Sequence, residues 1–203
     1  MQLAAINMVQ ENAEKTRGIL MRMTDLLECW ELGLGQHSRR TAAYVELLVE
    51  KMREMGVYGD VLTPECAERL KRGACMHEIG RLASVPAMAG IDTVSGNNCA
   101  QAGERLMGRN LEYLSDDRLA RIIQEMISCQ QEKWDGTGFP RGLKGEEIPL
   151  SARILAVADM YDCLLEQNPG EKEAASGKAA DAMKKECGQR FDPEILNAFL
   201  ACV

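Results

Sequence analysis

The chain contains few histidines and few aromatic side chains. Histidine occurs only twice in 203 residues, at His37 and His77, and Phe, Trp and Tyr together make up 4% of the sequence. Because aromatic rings are so scarce, Leu, Ile, Met and Ala must form most of the core, and the twelve Met can fill irregular gaps between helices. The hydrophobic content of 46% is nevertheless ample for a domain of this size.

Long apolar runs and an excess of positive charge are also absent. No run approaches the roughly 20 residues of a membrane-spanning helix, and residues 1–14 lack the layout of a secretion signal. The net charge of −7 argues against binding to extended nucleic acid or to an anionic membrane, since both need clustered positive charge. The eight cysteines form no Cys-x-x-Cys pair. We therefore expect a cytoplasmic protein without a disulfide framework, in which most cysteines are small buried side chains.

Apolar residues recur at helical spacing through nearly the whole chain, which predicts an all-α domain. Thr63 as an N-cap and Pro64 at the first helical position predict a helix that runs to about His77. Residues 80–98 are rich in Gly, Pro, Ser and Asn and are interpreted as a loop. The first predicted helix, residues 8–31, either covers the core or pairs with a second copy of the chain. The remaining helices are predicted over residues 38–55, 99–107, 116–131, 151–166, 173–186 and 192–202.

The segment 134–150, which begins Trp-Asp-Gly-Thr-Gly-Phe-Pro, is the most informative part of the chain. Its glycines permit tight turns, and Pro140 and Pro149 fix the backbone between them. The segment resembles the signature loop of the HD-GYP domains, bacterial metal-dependent phosphodiesterases that cleave cyclic di-GMP. The resemblance implies a compact multi-helix HD-domain bundle with an irregular loop over residues 26–203. Residues 1–25 would form an N-terminal helix outside it.

The histidines and an aspartate fall within motifs that are similar to those of the same family. His37 lies in Gln-His-Ser-Arg, and His77 is followed by Glu78 where the family has the aspartate of its His-Asp doublet. Arg81 replaces a lysine of that motif, and Asp159 matches the closing aspartate ligand. Hydrolysis of a phosphodiester near neutral pH calls for a metal ion. The resemblance therefore implies one divalent metal (Mn, Fe, Ni or Zn) on His37, His77, Glu78 and Asp159, with Glu78, Arg81 and Asp159 in catalytic roles.

The sequence departs from the family at its additional ligand positions. Gly33 stands where the family has a glutamate, and Cys99 stands where it has a histidine. Gln130 and Gln131 replace two adjacent histidines. A neutral amide oxygen is a weak ligand for a transition metal, whereas Cys99 is either a thiolate ligand or a buried free thiol. We therefore do not expect a centre of two or three metal ions.

The substrate-binding positions depart as well. The predicted ligand-facing loop residues are Gln130, Gln131, Gly138, Phe139 and Pro140, and Phe139 replaces the tyrosine of the family's motif. Farther along the chain, asparagine and glutamate at positions 168 and 171 replace an arginine and a basic residue. These changes remove a phosphate-binding group and add a negative charge that would repel a dinucleotide.

Two functions are compatible with this pattern. The first is a degenerate, catalytically impaired HD-GYP-like domain that acts as a bacterial signalling or protein-interaction module, with a protein partner and without a metal. The alternative is a single-metal phosphohydrolase or phosphodiesterase that acts on a nucleotide or a cyclic dinucleotide. Oligomerisation through the N-terminal helix is compatible with either function.

Overall fold

The computed structural model describes residues 36–84, 103, 104, 107, 114, 116–167 and 172–203. Over these residues the chain is helical and contains no β-strand, which confirms the all-α prediction. The predicted helices at 8–31 and, for most of its length, 99–107 lie outside the described residues, as do Gly33, Cys99 and positions 168–171. The α-helices that the structure describes over their full length are α1 His37–Glu54, α2 Pro64–Ala74, α3 Asp117–Cys129, α4 Leu150–Gln167, α5 Lys172–Lys185 and α6 Pro193–Leu200.

The helix boundaries follow local capping chemistry. The hydroxyl of Thr63 accepts a hydrogen bond from the Cys66 amide at 3.2 Å, and Pro64 is the first residue of α2, both as predicted. Asp192 caps α6 through the amide nitrogens of Glu194 and Ile195, at 2.9 and 3.4 Å. Each cap satisfies a backbone N–H that has no partner within its own helix.

The prediction for the end of α2 was wrong. The helix ends at Ala74, and a 3-10 helix, His77–Ser84, follows it, so residues 80–84 of the predicted loop are helical. At this point the backbone hydrogen bonds span three residues instead of four. The amide of Met76 donates to the carbonyl oxygen of Gly73, and the amide of Ile79 donates to that of Met76. This change turns Met76, His77 and Ile79 into the interior, where all three side chains are fully buried.

The main core lies between α1, α4 and α6. Helix α1 packs against α2, α4 and α6, while α4 also contacts α3 and α5. Three aromatic residues meet here, since the rings of Tyr44, Tyr161 and Phe199 lie edge to face, with the Tyr161 centroid 5.0 Å from each of the other two. Such pairs add to the free energy gained from burial alone. None of the described helices is both long and apolar enough to cross a membrane.

The cysteines differ from the sequence prediction. Of the six that the structure describes, all of them free thiols, only Cys129 is buried, Cys187 is exposed and the other four are half-buried. The expectation that most cysteines are buried is therefore wrong for this part of the chain. Cys163 on α4 is one of the four half-buried thiols.

Candidate metal centre

The two histidines converge on one carboxylate, Asp159. His37 is the first residue of α1 and His77 the first residue of the 3-10 helix, and their ring centroids lie 5.3 Å apart. Nε2 of His37 lies 3.0 Å from Oδ1 of Asp159, and Nε2 of His77 lies 3.4 Å from the same oxygen. The fold thus brings three residues that are far apart in the sequence, His37, His77 and Asp159, to a single point.

The Nδ1 atoms of both histidines face away from this point and have fixed partners. Nδ1 of His77 donates to the carbonyl oxygen of Ala74 at 2.6 Å, and Nδ1 of His37 lies 2.7 Å from Oδ2 of Asp162. A carbonyl oxygen only accepts hydrogen bonds, so Nδ1 of His77 carries a proton. Hydrogen bonds of this kind fix the tautomer and leave Nε2 as the nitrogen that can bind a metal.

Glu78 reaches the same place. Its Oε1 lies 3.5 Å from Nε2 of His77, and His37, His77 and Glu78 can each offer one ligand atom within 4.8 Å of the others. Asp159 is closer to solvent than predicted, because its side chain is 29% exposed. Since a metal that acts on a substrate needs an open side, this exposure is compatible with a catalytic centre.

Nε2 of His77 has no hydrogen-bond partner among the described residues, although the side chain is fully buried. Its 3.4 Å contact with Asp159 is an ionic contact whose geometry falls short of a hydrogen bond. Buried polar atoms in proteins almost always have a partner, so this nitrogen calls for a bound group. Two imidazole nitrogens and two carboxylates are a donor set that suits a divalent transition metal. The residues present therefore fit the metal that the motifs imply.

The carboxylates strongly perturb the two histidines. Burial lowers the pKa of His37, but hydrogen bonds to Asp159 and Asp162 outweigh it and raise the pKa to about 10. Burial also lowers the pKa of His77, but the contact with Asp159 has a larger effect in the opposite direction. The pKa of His77 is therefore raised as well. Burial raises the pKa of Asp159, but the two imidazoles have a larger effect in the opposite direction. The pKa of Asp159 therefore lies well below its usual range. Without a metal, the ionised Asp159 carboxylate therefore favours the protonated forms of both imidazoles.

Asp162 and Arg40 form a second layer that the sequence interpretation missed. Asp162 is fully buried and accepts hydrogen bonds from Nε of Arg40 at 2.7 Å and from Nη2 at 2.9 Å. Arg40 also pairs with Glu166, so the acidic pair Asp162 and Glu166 is already compensated by a cation. The only sequence signal is spacing, since residues 159 and 162 on α4 and residues 37 and 40 on α1 are each three positions apart and share a helix face, and this spacing does not distinguish a buried pair from an exposed one.

The glutamines at the expected histidine positions differ from each other. Gln130 is half-buried, and its amide nitrogen donates to the carbonyl oxygens of His77 at 3.2 Å and Ile127 at 3.3 Å. Gln131 is exposed. Gln130 therefore holds the backbone of His77 in place.

Arg81 lies in the 3-10 helix that begins with His77, but its side chain is outside the described part of the chain, so its predicted role stays a prediction.

The loop after α3 folds tightly upon itself. The buried carboxylate of Glu132 accepts hydrogen bonds from the amides of Arg141 at 2.8 Å and Leu143 at 3.0 Å. Gly138 packs against the backbone, because a Cβ there would lie 2.3 Å from the Lys133 nitrogen. Phe139 is half-buried and Pro140 is exposed. Gly136 and Gly142 adopt positive φ, at 85° and 63°, so the predicted glycine-dependent turns are present at these two positions. The predicted ligand-facing role of residues 138–140 stays a prediction.

The fold and the sequence together define the class of the protein. The family model described as "HD domain" matches residues 97–195, a range that includes Asp159 and the loop. A crystal structure of a cyclic GMP-AMP-specific phosphodiesterase from V. cholerae superposes with a TM-score of 0.59 and 18% identity, over 89% of this chain and 47% of that one. The chain contains an HD domain.

Curated relatives refine this assignment. A cyclic di-GMP phosphodiesterase of Vibrio cholerae serotype O1 is 31% identical over 98% of this chain and 42% of its own length. The cyclic di-GMP phosphodiesterase response regulator RpfG of Xanthomonas campestris is 29% identical over 98% of this chain and 50% of its own length. The chain belongs to the HD-GYP type of HD domain, and it spans half or less of the length of these relatives. They favour the phosphodiesterase alternative over the interaction module.

Proposed function

We propose that this domain is a metal-dependent phosphohydrolase that cleaves a phosphodiester bond of a nucleotide, with cyclic dinucleotides as the substrate class. The observation that carries the proposal is Nε2 of His77, a fully buried nitrogen without a hydrogen-bond partner among the described residues. It faces Asp159 and Glu78 at 3.4 and 3.5 Å. A structural histidine would be expected to satisfy both ring nitrogens.

The ligand set would comprise Nε2 of His37, Nε2 of His77 and the carboxylates of Glu78 and Asp159. A divalent metal bound there supplies Lewis acidity and lowers the pKa of water, so that hydroxide is available near neutral pH. Asp162 orients the ring of His37, and the carbonyl of Ala74 orients the ring of His77. The partly exposed Asp159 lies on the side from which a substrate would approach.

The substrate class rests on the relatives. Their names describe enzymes that act on cyclic di-GMP or on 3'3'-cGAMP, and the matched regions cover nearly the whole of this chain. The absence of the additional histidines at positions 130 and 131 favours one metal ion rather than two or three. We therefore expect a slower or narrower activity than a centre with more metal ions would support.

A non-catalytic signalling or protein-interaction module is the second candidate, and one observation favours it. Gln130 stands where the resemblance expects a ligand, and its side chain instead holds the backbone of His77 and Ile127. In this function the acidic centre would be stabilised by its contacts with the two histidines. A partner protein would then bind to the surface of the domain.

Metal content separates the two candidates. The untagged protein would be purified without chelators, reloaded in turn with Mn, Fe, Ni and Zn, and compared with Asp159→Asn and His77→Ala. The exposed Asp181→Asn would serve as a matched control. About one equivalent of metal in the wild type and the control, but not in Asp159→Asn, is expected. Because His77 is buried, circular dichroism must first establish that its variant is folded.

Hydrolysis then tests the reaction itself. The metal-loaded wild type should convert cyclic di-GMP or 3'3'-cGAMP into a linear product, and Asp159→Asn should not. A folded wild type that binds none of the four metals would overturn the enzyme proposal. One equivalent of metal without hydrolysis of either dinucleotide would instead restrict the activity to other phosphoesters.

A further inference from the structure

Cys163 lies beside the metal centre without a role in the function proposed above. It is four residues after Asp159 on α4, so the two side chains lie on the same face of the helix, one turn apart. The sulfur of Cys163, a carboxylate oxygen of Asp159 and a ring nitrogen of His37 lie within 4.8 Å of one another. The thiol is half-buried, so it is close to the centre and also accessible to solvent.

A second observation at the same place calls for a bound group. Asp159 contacts Nε2 of His77, the fully buried nitrogen that has no hydrogen-bond partner in the described part of the chain. The same carboxylate thus joins the orphaned nitrogen to the trio that contains the thiol. Two imidazoles, one carboxylate and one thiol together are a set of four donors of the types that bind tetrahedral metals.

We infer that Cys163 is a ligand of the metal held by His37, His77 and Asp159, and that this sulfur directs the centre towards zinc or cobalt. The inference rests on the proposed function only in requiring that a metal binds. Thiolate is a soft ligand that favours zinc, whereas sites made of imidazole and carboxylate alone accept Mn or Fe readily. Glu78 would then compete with Cys163 for one coordination position.

The chemistry of the step is a proton release. In the metal-free protein the thiol is protonated, because burial and the neighbouring Asp159, Asp162, Glu166 and Glu78 raise the pKa of Cys163 to about 12. On binding, the S–H bond breaks, the sulfur keeps the electron pair and donates it to the divalent ion, and the proton leaves to solvent. A divalent cation offsets the negative charge of the surrounding carboxylates, which is the charge that disfavours the thiolate in its absence.

Cobalt spectroscopy tests the inference without any measurement of activity. The full chain would be titrated with Co²⁺ under reducing conditions, as wild type, Cys163→Ala, Cys163→Ser and His77→Ala. Cys187→Ala is the matched control, because that thiol is exposed and is in none of the clusters of metal-ligating atoms among the described residues. The wild type and the control should show a near-ultraviolet sulfur-to-cobalt charge-transfer band that saturates at one equivalent.

Both Cys163 variants should still bind cobalt, with visible ligand-field bands, but should lose the charge-transfer band. Their zinc affinity should fall at least about tenfold, while their manganese affinity changes less. Cobalt binding by the wild type without the band, or a band that survives in Cys163→Ala, would overturn the inference and leave the proposed function standing. A folded wild type that binds manganese or iron but neither cobalt nor zinc would likewise overturn the inference alone, whereas one that binds none of these metals would overturn both.

Discussion

Nδ1 of His37 lies 2.7 Å from Oδ2 of Asp162, and this contact joins the first residue of α1 to the face of α4 that carries Asp159. Asp162 is fully buried, and Arg40 neutralises it from the other side. Carboxylates in this position hold a metal-binding imidazole in one tautomer and one orientation. The metal affinity of the centre should therefore depend on a residue that does not touch the metal.

We expect Asp162→Asn to lower the metal affinity by about 10- to 100-fold, because the amide loses the charge that orients His37 and pairs with Arg40. Competition with a coloured chelator would measure the change. Glu166→Gln is the matched control, since Glu166 contacts Arg40 but makes no hydrogen bond to His37. Equal losses in the two variants would contradict a specific role for Asp162.

The stability of the α2–α3 contact should depend on pH through Asp116. Asp116 caps α3 by accepting from the Leu119 amide at 3.0 Å, and Nε of Arg69 on α2 lies 2.9 Å from its Oδ2. Burial raises the pKa of Asp116, but these hydrogen bonds and the charge of Arg69 lower it below the ordinary 3.8. The ionised form therefore stabilises the fold above the unfolded-state pKa, and this contribution is lost as the pH falls through the lower folded-state value.

Urea unfolding of the wild type and of Asp116→Asn would measure this effect. Asparagine keeps the helix cap but not the charge, so the wild type should be more stable near pH 6. The difference should shrink as the pH falls through the lowered pKa of Asp116 in the folded state. Asp116→Ala should cost about a further 1 kcal/mol at every pH, because it also removes the cap. A difference between wild type and Asp116→Asn that grew on acidification would have the wrong sign for this explanation.

Gly138 should not tolerate a methyl group. An added Cβ would lie 2.3 Å from the Lys133 nitrogen and 2.5 Å from Cα of Glu132, and these backbone atoms cannot move aside as a side chain could. We expect Gly138→Ala to destabilise the protein by about 1–3 kcal/mol or more. Gly177→Ala is the control, since Gly177 lies within α5 with nothing within 4 Å of the added atom, and it should stabilise by up to about 1 kcal/mol. Similar effects at the two positions would show that the tight packing of the loop is unimportant.

Arg153 should be essential for the junction between α4 and α6. Its Nη1 donates to Oδ2 of Asp192 at 2.7 Å, and its Nε donates to the carbonyl of Ile148 in the loop at 2.9 Å. Arg153 and Asp192 are both buried, so Arg153→Met would leave an uncompensated carboxylate, at a cost of about 3–5 kcal/mol.

A double-mutant cycle would isolate this pair. Adding Asp192→Asn to Arg153→Met should recover part of the loss, because the amide keeps the α6 cap and removes the unpaired charge. Unfolding free energies from urea titration supply the four values. Strict additivity of the two substitutions would mean that the ion pair does not account for the loss.

The sequence predicted the helices better than it predicted the second layer of the centre. Helical spacing and the cap at Thr63 depend on a few neighbouring residues, so they could be identified without a tertiary structure. The roles of Arg40 and Asp162 could not, because charged residues three positions apart on a helix are equally typical of an exposed surface. Only the packing of α1 on α4 places them between two buried elements.

The same limit applies to the end of α2 and to Cys163. His77 begins a 3-10 helix because the backbone tightens after Ala74, and no residue between them is a strong helix breaker. Cys163 is one of eight scattered cysteines, and its position beside Asp159 becomes meaningful only when His37 is known to face that turn of α4. Ligand sets drawn from several helices thus remain incomplete until the helix packing is known.

The hydrogen bonds of Gln130 have a consequence for how this sequence can evolve. Its amide nitrogen supports the carbonyl oxygens of His77 and Ile127, so the position now contributes to the order of the segment that begins with His77. Gln130→His would remove this support before a second metal ion could be bound. We therefore expect that a centre of more than one metal ion would need several coordinated substitutions rather than this one alone.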